Sequence, residues 1–296
     1  EIVAAAQARQ EVLVWTDSSL YSLQYVGAGS GVWAAQLVGE QISIASQNSV
    51  AYASGVSYWM GKDKFYMYDG STQPLQCDLR KYVFTDFNTE QYNQVFGGSN
   101  EAFNEVWWFY CSSSATDNDR YVVYNYLEHI WYYGSMARSA WLDSGLRAFP
   151  LAATYNSVLV NHEEGVDDNE TGTTAAISAF ITSADFDLED GDRFMLMSRV
   201  LPDVSFEGST AANPAITMSF FPLTSSGSGY NSPTSESGVS TGVATRSATS
   251  PVEVYTSQIH TRVRGRQVSM KIESSAAGVQ WQSGATRIDI RPDGRR

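Results

Sequence analysis

The sequence predicts an all-β fold, with a β-propeller-like body of antiparallel blades followed by a C-terminal part resembling a β-sheet or sandwich. The chain contains 17 Tyr, 13 Phe and 8 Trp, and aromatic residues favour strands. Its apolar runs are short and are separated by polar or glycine-containing turns. Clusters of such runs, anchored on Trp15, Trp59 and Trp107, recur at intervals of roughly 45 residues, which falls in the range of propeller blades.

The first two clusters each predict a hairpin. In EVLVWTDSSLYSLQYVG, an apolar run ends at Trp15, and a polar turn separates it from the alternating residues 20–25. In SYWMGKDKFYMYDG, residues 58–60 and 65–68 flank a glycine-containing turn. Both segments therefore predict paired antiparallel strands.

The third cluster predicts three strands, at residues 106–111, 121–126 and 131–134, and a weaker fourth cluster covers residues 155–165. Small antiparallel sheets whose aromatic faces pack on one another are typical of a propeller. Aromatic hairpins at this spacing also occur in β-sandwiches, so the sandwich stays open as an alternative.

One helix is predicted between the second and third clusters. Asn88 or Thr89 can cap its start, and the helix would run through Val95 and Phe96 to the glycine pair at 97–98.

Two domains are predicted, with residues 1–165 forming the aromatic strand repeats and residues 166–296 forming a β-rich part. A Ser/Thr/Gly-rich loop at residues 224–251 is expected to be flexible or to become ordered against a partner, because it contains too little apolar surface to fold alone. Strands are predicted in the second domain at residues 177–183, 193–201, 215–221, 256–272 and 286–290.

The net charge of −13 argues against a nucleic-acid-binding protein, because affinity for phosphates comes from Lys and Arg. A channel through which DNA must slide would be lined with carboxylates, because they do not hold phosphates. A high negative charge can also simply keep a protein soluble, and the sequence leaves both interpretations open. No apolar stretch is long enough to predict a membrane span. The chain lacks an initiator Met, so we expect it to be part of a longer polypeptide.

The C-terminal run contains an alternating basic segment. His260, Arg262, Arg264 and Arg266 alternate with smaller or apolar residues, which predicts one cationic face on a strand. Such a face can bind phosphate or pair with carboxylates within or between subunits. The acidic remainder of the chain favours electrostatic pairing.

No arrangement typical of a catalytic site is found. His129, His162 and His260 lie in separate clusters, and none has a second metal ligand or a catalytic partner at the spacing of a known motif. The acidic loop at His162–Asp168 lacks the spacing of a helical metal motif, and whether it holds a cation is left open. The sequence therefore predicts no catalytic, cofactor-binding or metal-binding residues and no enzymatic activity.

Two groups of carboxylates in polar turns are expected to be solvated surface, with a glycosidase acid/base pair as the alternative. They are Asp117 with Asp119, and Glu189 with Asp190 and Asp192.

The two cysteines, Cys77 and Cys111, are too few for a disulfide framework. We expect buried thiols in a reducing cytoplasm, with one cross-link between neighbouring strands as the alternative.

The serial order of segments resembles a known family. The EVLVWTDSSLYSLQYVG strand pair is followed by YWMGKDKFYMYDG, FNTEQYNQVFGG, NEVWWFYCSSS and DRYVVYNYLEHIWYYG, and later by RVRGRQVSMKIES and RIDIRPDGRR. This order resembles the tail hub or nozzle proteins of short-tailed bacteriophages, which include packaged-DNA stabilisation proteins. The resemblance extends over most of the chain.

The resemblance implies a virion structural protein without catalytic residues or cofactors. It implies a homohexameric ring below the portal and its adaptor ring, in contact with other tail proteins such as fibres. The ring would form a channel that retains and then passes the genome, with no specific DNA binding and no membrane-spanning segment. The protein would be located in the virion tail and assembled in the host bacterial cytoplasm.

Two other functions are compatible with a β-rich, aromatic sequence. A glycan-binding or glycan-cleaving β-propeller would be a monomer with a concave aromatic pocket and a carboxylate pair inside it. A receptor-binding tail protein would more often show trimeric fibre-like repeats. In contrast, the hub interpretation predicts that the aromatic residues pack between blades.

Overall fold

A computed structural model of the protein describes residues 1–27, 32–145, 147–223 and 247–294. The fold is mostly β, with many antiparallel sheets. The chain forms two compact units, Glu1–Glu164 and Gly165–Arg296. The all-β class predicted from the aromatic content and alternation is thus confirmed, although the described residues show no closed propeller.

The first unit contains three four-stranded antiparallel sheets, each formed by consecutive strands in sequence order. Sheet 1 consists of β1 (Ile2–Gln7), β2 (Glu11–Thr16), β3 (Ser19–Tyr25) and β4 (Trp33–Glu40). Sheet 2 consists of β5 (Val50–Ala53), β6 (Val56–Met60), β7 (Phe65–Tyr68) and β8 (Thr72–Leu75). Sheet 3 consists of β9 (Phe96–Asn100), β10 (Glu105–Tyr110), β11 (Arg120–Asn125) and β12 (Ile130–Ser135).

A smaller sheet 4 completes the first unit with β13 (Ala140–Leu142), β14 (Leu151–Ala153) and β15 (Leu159–Asn161). Up-and-down strand order in four-stranded sheets is the strand order of propeller blades. The hairpins predicted at the first three clusters are all present, and the weak fourth cluster corresponds to β15 and the turns around it.

The helix predicted at residues 88–96 was wrong. Only Tyr92–Gln94 form a 3₁₀ turn, and Phe96 begins β9, where it pairs with Phe109. The Asn88 side chain accepts from the amide of Glu90 and donates to a carbonyl, instead of capping a helix. Burial of Phe96 in the sheet therefore outweighs the local helix pattern.

In the described residues of the first unit, the α-helix is α1 (Arg80–Asp86), which was not predicted from the sequence. Leu79, at the N-cap position before the helix, makes no side-chain capping hydrogen bond, and Val83 is the buried residue of the helix. Without a capping residue the segment lacks the usual local mark of a helix start. Further 3₁₀ turns lie at Glu101–Phe103 and, in the second unit, at Glu189–Gly191.

The second unit contains two larger antiparallel sheets. In the first, β18 (Ala179–Thr182), β25 (Gln267–Ser274), β22 (Ala215–Leu223) and β23 (Ala248–Glu253) are neighbours in that order, and β19 (Phe186–Asp187) also pairs with β25. In the second, the order is β24 (Ile259–Gly265), β20 (Met195–Leu201) and β27 (Arg287–Pro292). Short pairs join β16 (Asp167–Asp168) to β17 (Ala175–Ala176) and β21 (Val204–Ser205) to β26 (Gln282–Ser283).

The predicted loop at residues 224–251 needs a correction at its C-terminal end. Residues 248–251 belong to β23, which pairs with β22 and continues to the buried Val252. Pairing of Ala248 with Phe220 supplies the apolar contact that the Ser/Thr/Gly composition alone does not offer. Residues 224–246 of this prediction lie outside the described residues.

Candidate functional site

The repeat tryptophans occupy equivalent strands. Trp15 lies in β2, Trp59 in β6 and Trp107 in β10, so each lies on the second strand of its sheet. The rings of Trp15 and Trp59 meet edge to face with centroids 5.2 Å apart. The spacing noted in the sequence therefore reflects equivalent strands of successive sheets.

Strand β10 is covered on both faces. Its neighbouring side chains Trp107 and Trp108 point to opposite sides of the sheet, as successive strand residues do. Trp108 packs on Phe65 of sheet 2 with a centroid distance of 5.0 Å, whereas Trp107 stacks on Trp141 of sheet 4 at 5.2 Å. Every residue of β10 is buried as a result.

Tryptophan indoles also connect successive sheets by hydrogen bonds. Nε1 of Trp108 in sheet 3 donates to the carbonyl of Ser49, just before β5 of sheet 2, at 2.9 Å. Nε1 of Trp141 in sheet 4 donates to the carbonyl of Ser99 in β9 of sheet 3 at 2.8 Å. Each indole thus fixes the position of one sheet against the first strand of the preceding sheet while its ring fills the core between them.

A buried carboxylate lies at the start of β10. Glu105 is 9% exposed, and its Oε2 accepts hydrogen bonds from Nε1 of Trp107 at 2.9 Å and from Nδ2 of Asn100 at 3.5 Å. The same Asn100 nitrogen donates to Oε1 of Glu163 at 3.2 Å. The hydroxyl of Tyr132 also donates to Glu105.

This arrangement brings two carboxyl groups to one fully buried amide. Burial raises the pKa of the Glu105 carboxyl, and burial together with the charge of Glu105 raises the pKa of Glu163. Glu163 is exposed as a whole residue, but its carboxylate reaches Asn100, which is completely buried. The pair can therefore bind a proton above the ordinary carboxyl range.

This pair was not predicted, because Glu105 and Glu163 are far apart in the sequence, meet only at Asn100 and follow no motif. One sequence feature could have indicated Glu105, namely its position in the otherwise uncharged strand EVWWFY.

Two hollows in the described residues lie away from this pair. One is lined by Ala215, Thr217, Pro251 and Glu273, among others. The other is lined by residues that include Arg9, Glu11, Tyr25 and Tyr68. Neither is lined by tryptophan, and neither contains Glu105 or Glu163.

The three histidines lie apart. Nδ1 of His129 is 2.8 Å from the hydroxyl of Tyr124, and His260 is exposed on β24. Nε2 of His162 accepts from Nε of Arg138 at 3.0 Å, and its ring contacts Trp141. The contacts of His129 and His162 position side chains around the aromatic layers.

The acidic loop at His162–Asp168 is divided between the two units. Within the first unit, Glu164 accepts from Nδ2 of Asn161 at 2.7 Å. Within the second, Oδ1 of Asp167 accepts from the amide of Gly278 at 2.6 Å. Across residues 1–27, 32–145, 147–223 and 247–294, no group of three or more His, Cys, Asp or Glu side chains has an arrangement suited to a metal ion.

The carboxylates of the polar turns have local partners. Asp119 accepts from the amide and hydroxyl of Ser112, both at 2.8 Å, while Asp117 is exposed. Glu189 pairs with Arg193 at 3.2 Å.

In the same turn, the carbonyl of Asp192 accepts from Arg266. The side chain of Asp190 lies outside the part of the chain that is described.

Both cysteines are free thiols. Cys111 is buried, with Sγ 3.3 Å from Oδ1 of Asn118, and Cys77 is half-buried. The expected burial thus holds fully for Cys111 and in part for Cys77.

The basic alternation near the C-terminus lies on β24. His260, Arg262 and Arg264 are exposed, while Ile259 and Val263 are buried on the opposite face. Arg266 follows the strand and donates to the carbonyls of residues 191 and 192. The structure therefore has the one-sided basic strand that the alternation predicted.

No protein-family model and no curated protein matches the chain. Among the helices of the described residues, none has the length and apolar composition required to traverse a bilayer.

Proposed function

We propose that the chain is a structural subunit of the tail hub or nozzle of a short-tailed bacteriophage, without enzymatic activity. The observation that carries the proposal is the series of antiparallel sheets whose second-strand tryptophans pack between sheets. Aromatic packing between blades is what the hub interpretation predicts. The serial resemblance of the sequence to hub and nozzle proteins provides the second support.

The segments that carry this resemblance correspond to successive sheets. The first two correspond to β2–β3 and β6–β7, and the NEVWWFYCSSS and DRYVVYNYLEHIWYYG segments correspond to β10 and to β11–β12. A body built from such units resists deformation, because each sheet is held by close-packed aromatic side chains and by indole hydrogen bonds. Mechanical rigidity of this kind suits a conduit that must retain a pressurised genome.

The proposed assembly is a homohexameric ring below the portal and its adaptor ring, in contact with further tail proteins such as fibres. The net charge of −13 supports a channel through which DNA passes without specific binding, since carboxylates repel phosphates. The proposed location is the virion tail, after assembly in the cytoplasm of the host bacterium.

The glycan-binding or glycan-cleaving alternative requires an aromatic pocket that contains a carboxylate pair. In the described residues, the pair of Glu105 and Glu163 lies beside Trp107 in a packed layer, away from the two hollows. One hollow is lined by Tyr25 and Tyr68 together with Glu11 and Asp69, and it is the feature of the structure that fits the alternative. The hub proposal rests instead on the packing of tryptophans between sheets.

Immunogold electron microscopy of virus particles tests the proposal, with an antibody raised against the purified chain. We expect gold at the tail below the portal. Antibody against a capsid protein provides the positive control, and pre-immune serum provides the background. Particles without label, together with a soluble monomer that binds glycans in a carbohydrate screen, would overturn the proposal in favour of the glycan-active propeller.

A further inference from the structure

The three-stranded sheet β24-β20-β27 has one buried and one exposed face. Met195, Met197 and Val263 point into the core of the second unit and are fully buried. The alternate residues of the three strands face outward. This outer face, called the basic face below, carries six basic side chains: Arg199, His260, Arg262, Arg264, Arg287 and Arg291.

The strand register brings these side chains together. Leu196 of β20 lies opposite Arg264 of β24 and Arg291 of β27. Leu201 of β20 lies opposite Arg287. Arginines of different strands therefore occupy neighbouring rows of one sheet surface.

Carboxylates within the unit neutralise only part of this charge. Arg199 pairs with Asp289 at 2.7 Å, and Arg264 pairs with Asp293 at 2.5 Å. Arg264 is also held over the ring of Phe194, with its guanidinium carbon 4.1 Å from the centroid.

Three arginines of the face remain uncompensated. In the portion of the chain that the structure describes, no carboxylate pairs with Arg262, Arg287 or Arg291, and all three are exposed. Their guanidinium groups are therefore available to a partner that carries carboxylates or phosphates.

The rest of the chain has the opposite charge. Residues 259–296 contain eight of the 19 Lys and Arg but three of the 32 Asp and Glu, which leaves 11 basic and 29 acidic residues in 1–258. A second copy thus offers an acidic surface to the basic face. The same arginines can also contact the phosphates of nucleic acid, so the test below includes a DNA duplex.

We infer that the basic face binds the acidic surface of a second copy of this chain through Arg262, Arg287 and Arg291. Two basic faces repel each other, so the contact joins different surfaces of the two copies. Such a head-to-tail interface generates a ring when its rotation closes. The inference rests on the proposed function for the choice of a second copy as partner, and it names the surface through which copies would meet.

Self-association of the purified chain tests the inference without virus particles. Sedimentation equilibrium should show association at 50 mM NaCl that weakens by about tenfold or more at 500 mM, because salt screens exposed charges. The triple variant Arg262→Glu, Arg287→Glu, Arg291→Glu should be monomeric at both salt concentrations. The triple Arg→Gln variant should associate weakly, which separates loss of the cations from repulsion by new carboxylates.

The matched control carries the same charge change on the first unit, as Arg9→Glu, Lys62→Glu and Lys81→Glu. These side chains are exposed, and the control should associate like the wild type. Circular dichroism should show that all three triple variants are folded.

A mixing experiment tests the head-to-tail geometry. The charge-reversed variant keeps its own acidic surface, so it should bind immobilised wild type even though it does not bind itself. Four results would overturn the inference: a monomeric wild type, association unchanged by charge reversal, failure of the variant to bind wild type, or binding of a labelled DNA duplex that charge reversal abolishes. Because none of these measurements involves a virion, self-association with an unlabelled tail would refute the proposed function alone.

Discussion

Replacement of Trp108 by Ala tests the packing between sheets 2 and 3. Trp108 is completely buried, and its ring lies 5.0 Å from that of Phe65 and 6.0 Å from that of Trp131. Truncation of a buried Trp to Ala costs roughly 3–5 kcal/mol. Loss of the indole hydrogen bond adds only about 0.5–1.5 kcal/mol, because the carbonyl of Ser49 still accepts from the amide of Met60 at 3.4 Å. We therefore expect the free energy of unfolding of the first unit to fall by about 3.5–6.5 kcal/mol.

Urea denaturation followed by tryptophan fluorescence measures this change. Seven of the eight Trp lie in residues 1–164, so the signal reports mainly on the first unit. With a urea dependence of about 2 kcal/mol per M, the midpoint should fall by about 2–3 M, or the unit should be unfolded without urea. Far-UV circular dichroism distinguishes the second case from a simple loss of fluorescence.

Two variants sharpen the comparison. Trp33→Ala removes a Trp that is 58% exposed and should change the free energy by less than about 0.5 kcal/mol. Trp108→Phe keeps part of the ring contact but loses the hydrogen bond, and its midpoint should lie between wild type and Trp108→Ala. Equal midpoints for Trp108→Ala and Trp33→Ala would refute the view that aromatic layers hold the sheets together.

Three further predictions concern other parts of the first unit. Gly98→Ala should cost roughly 1–3 kcal/mol, because the added Cβ would lie 2.9 Å from Cγ of Trp141. In a double-mutant cycle, Gly98→Ala should cost much less in a Trp141→Ala background, which lacks Cγ; additive effects would exclude this contact as the cause. The raised pKa values of Glu105 and Glu163 mean that the folded state binds more protons than the unfolded state above the ordinary carboxyl value. The free energy of unfolding should therefore fall as pH rises above the ordinary carboxyl pKa. Glu163→Gln should make the free energy of unfolding, measured by urea titration, depend less on pH. An unchanged pH dependence in this variant would contradict the contribution of Glu163. Burial raises the pKa of the Cys111 thiol to about 11. Its reaction with a thiol reagent at pH 8 should therefore be no faster than unfolding of the protein. Immediate labelling of Cys111 in the native protein would count against its burial.

The sequence predicted the strands of the first unit well where alternation was regular and tryptophans recurred. Trp15, Trp59 and Trp107 identified equivalent strands because the pattern is local and each residue fills a similar layer. Predictions were less accurate where secondary structure depends on pairing with a strand that is distant in the sequence. Phe96 joined β9 through pairing with Phe109, and Ala248 joined β23 through pairing with Phe220.

The candidate sites show the same division. The exposed cations of β24 followed directly from alternation around Val263, because period-two patterning determines which side chains share a face. The full basic face also needs Arg199 and Arg287, which reach it only through the strand order of the sheet. The contact of Glu105 and Glu163 with Asn100 depends on how the loop after β15 approaches sheet 3, and no short-range pattern encodes that approach.

The most direct test of the proposed function is a sixfold-averaged cryo-electron microscopy reconstruction of the virus tail. The proposal predicts six copies of this chain in a ring below the portal and adaptor. Sheets 1–4 should fit each copy of the density as consecutive antiparallel sheets with large side-chain density between them. A tail whose sixfold density contains no region that fits these sheets would contradict the proposal that this chain forms the hub.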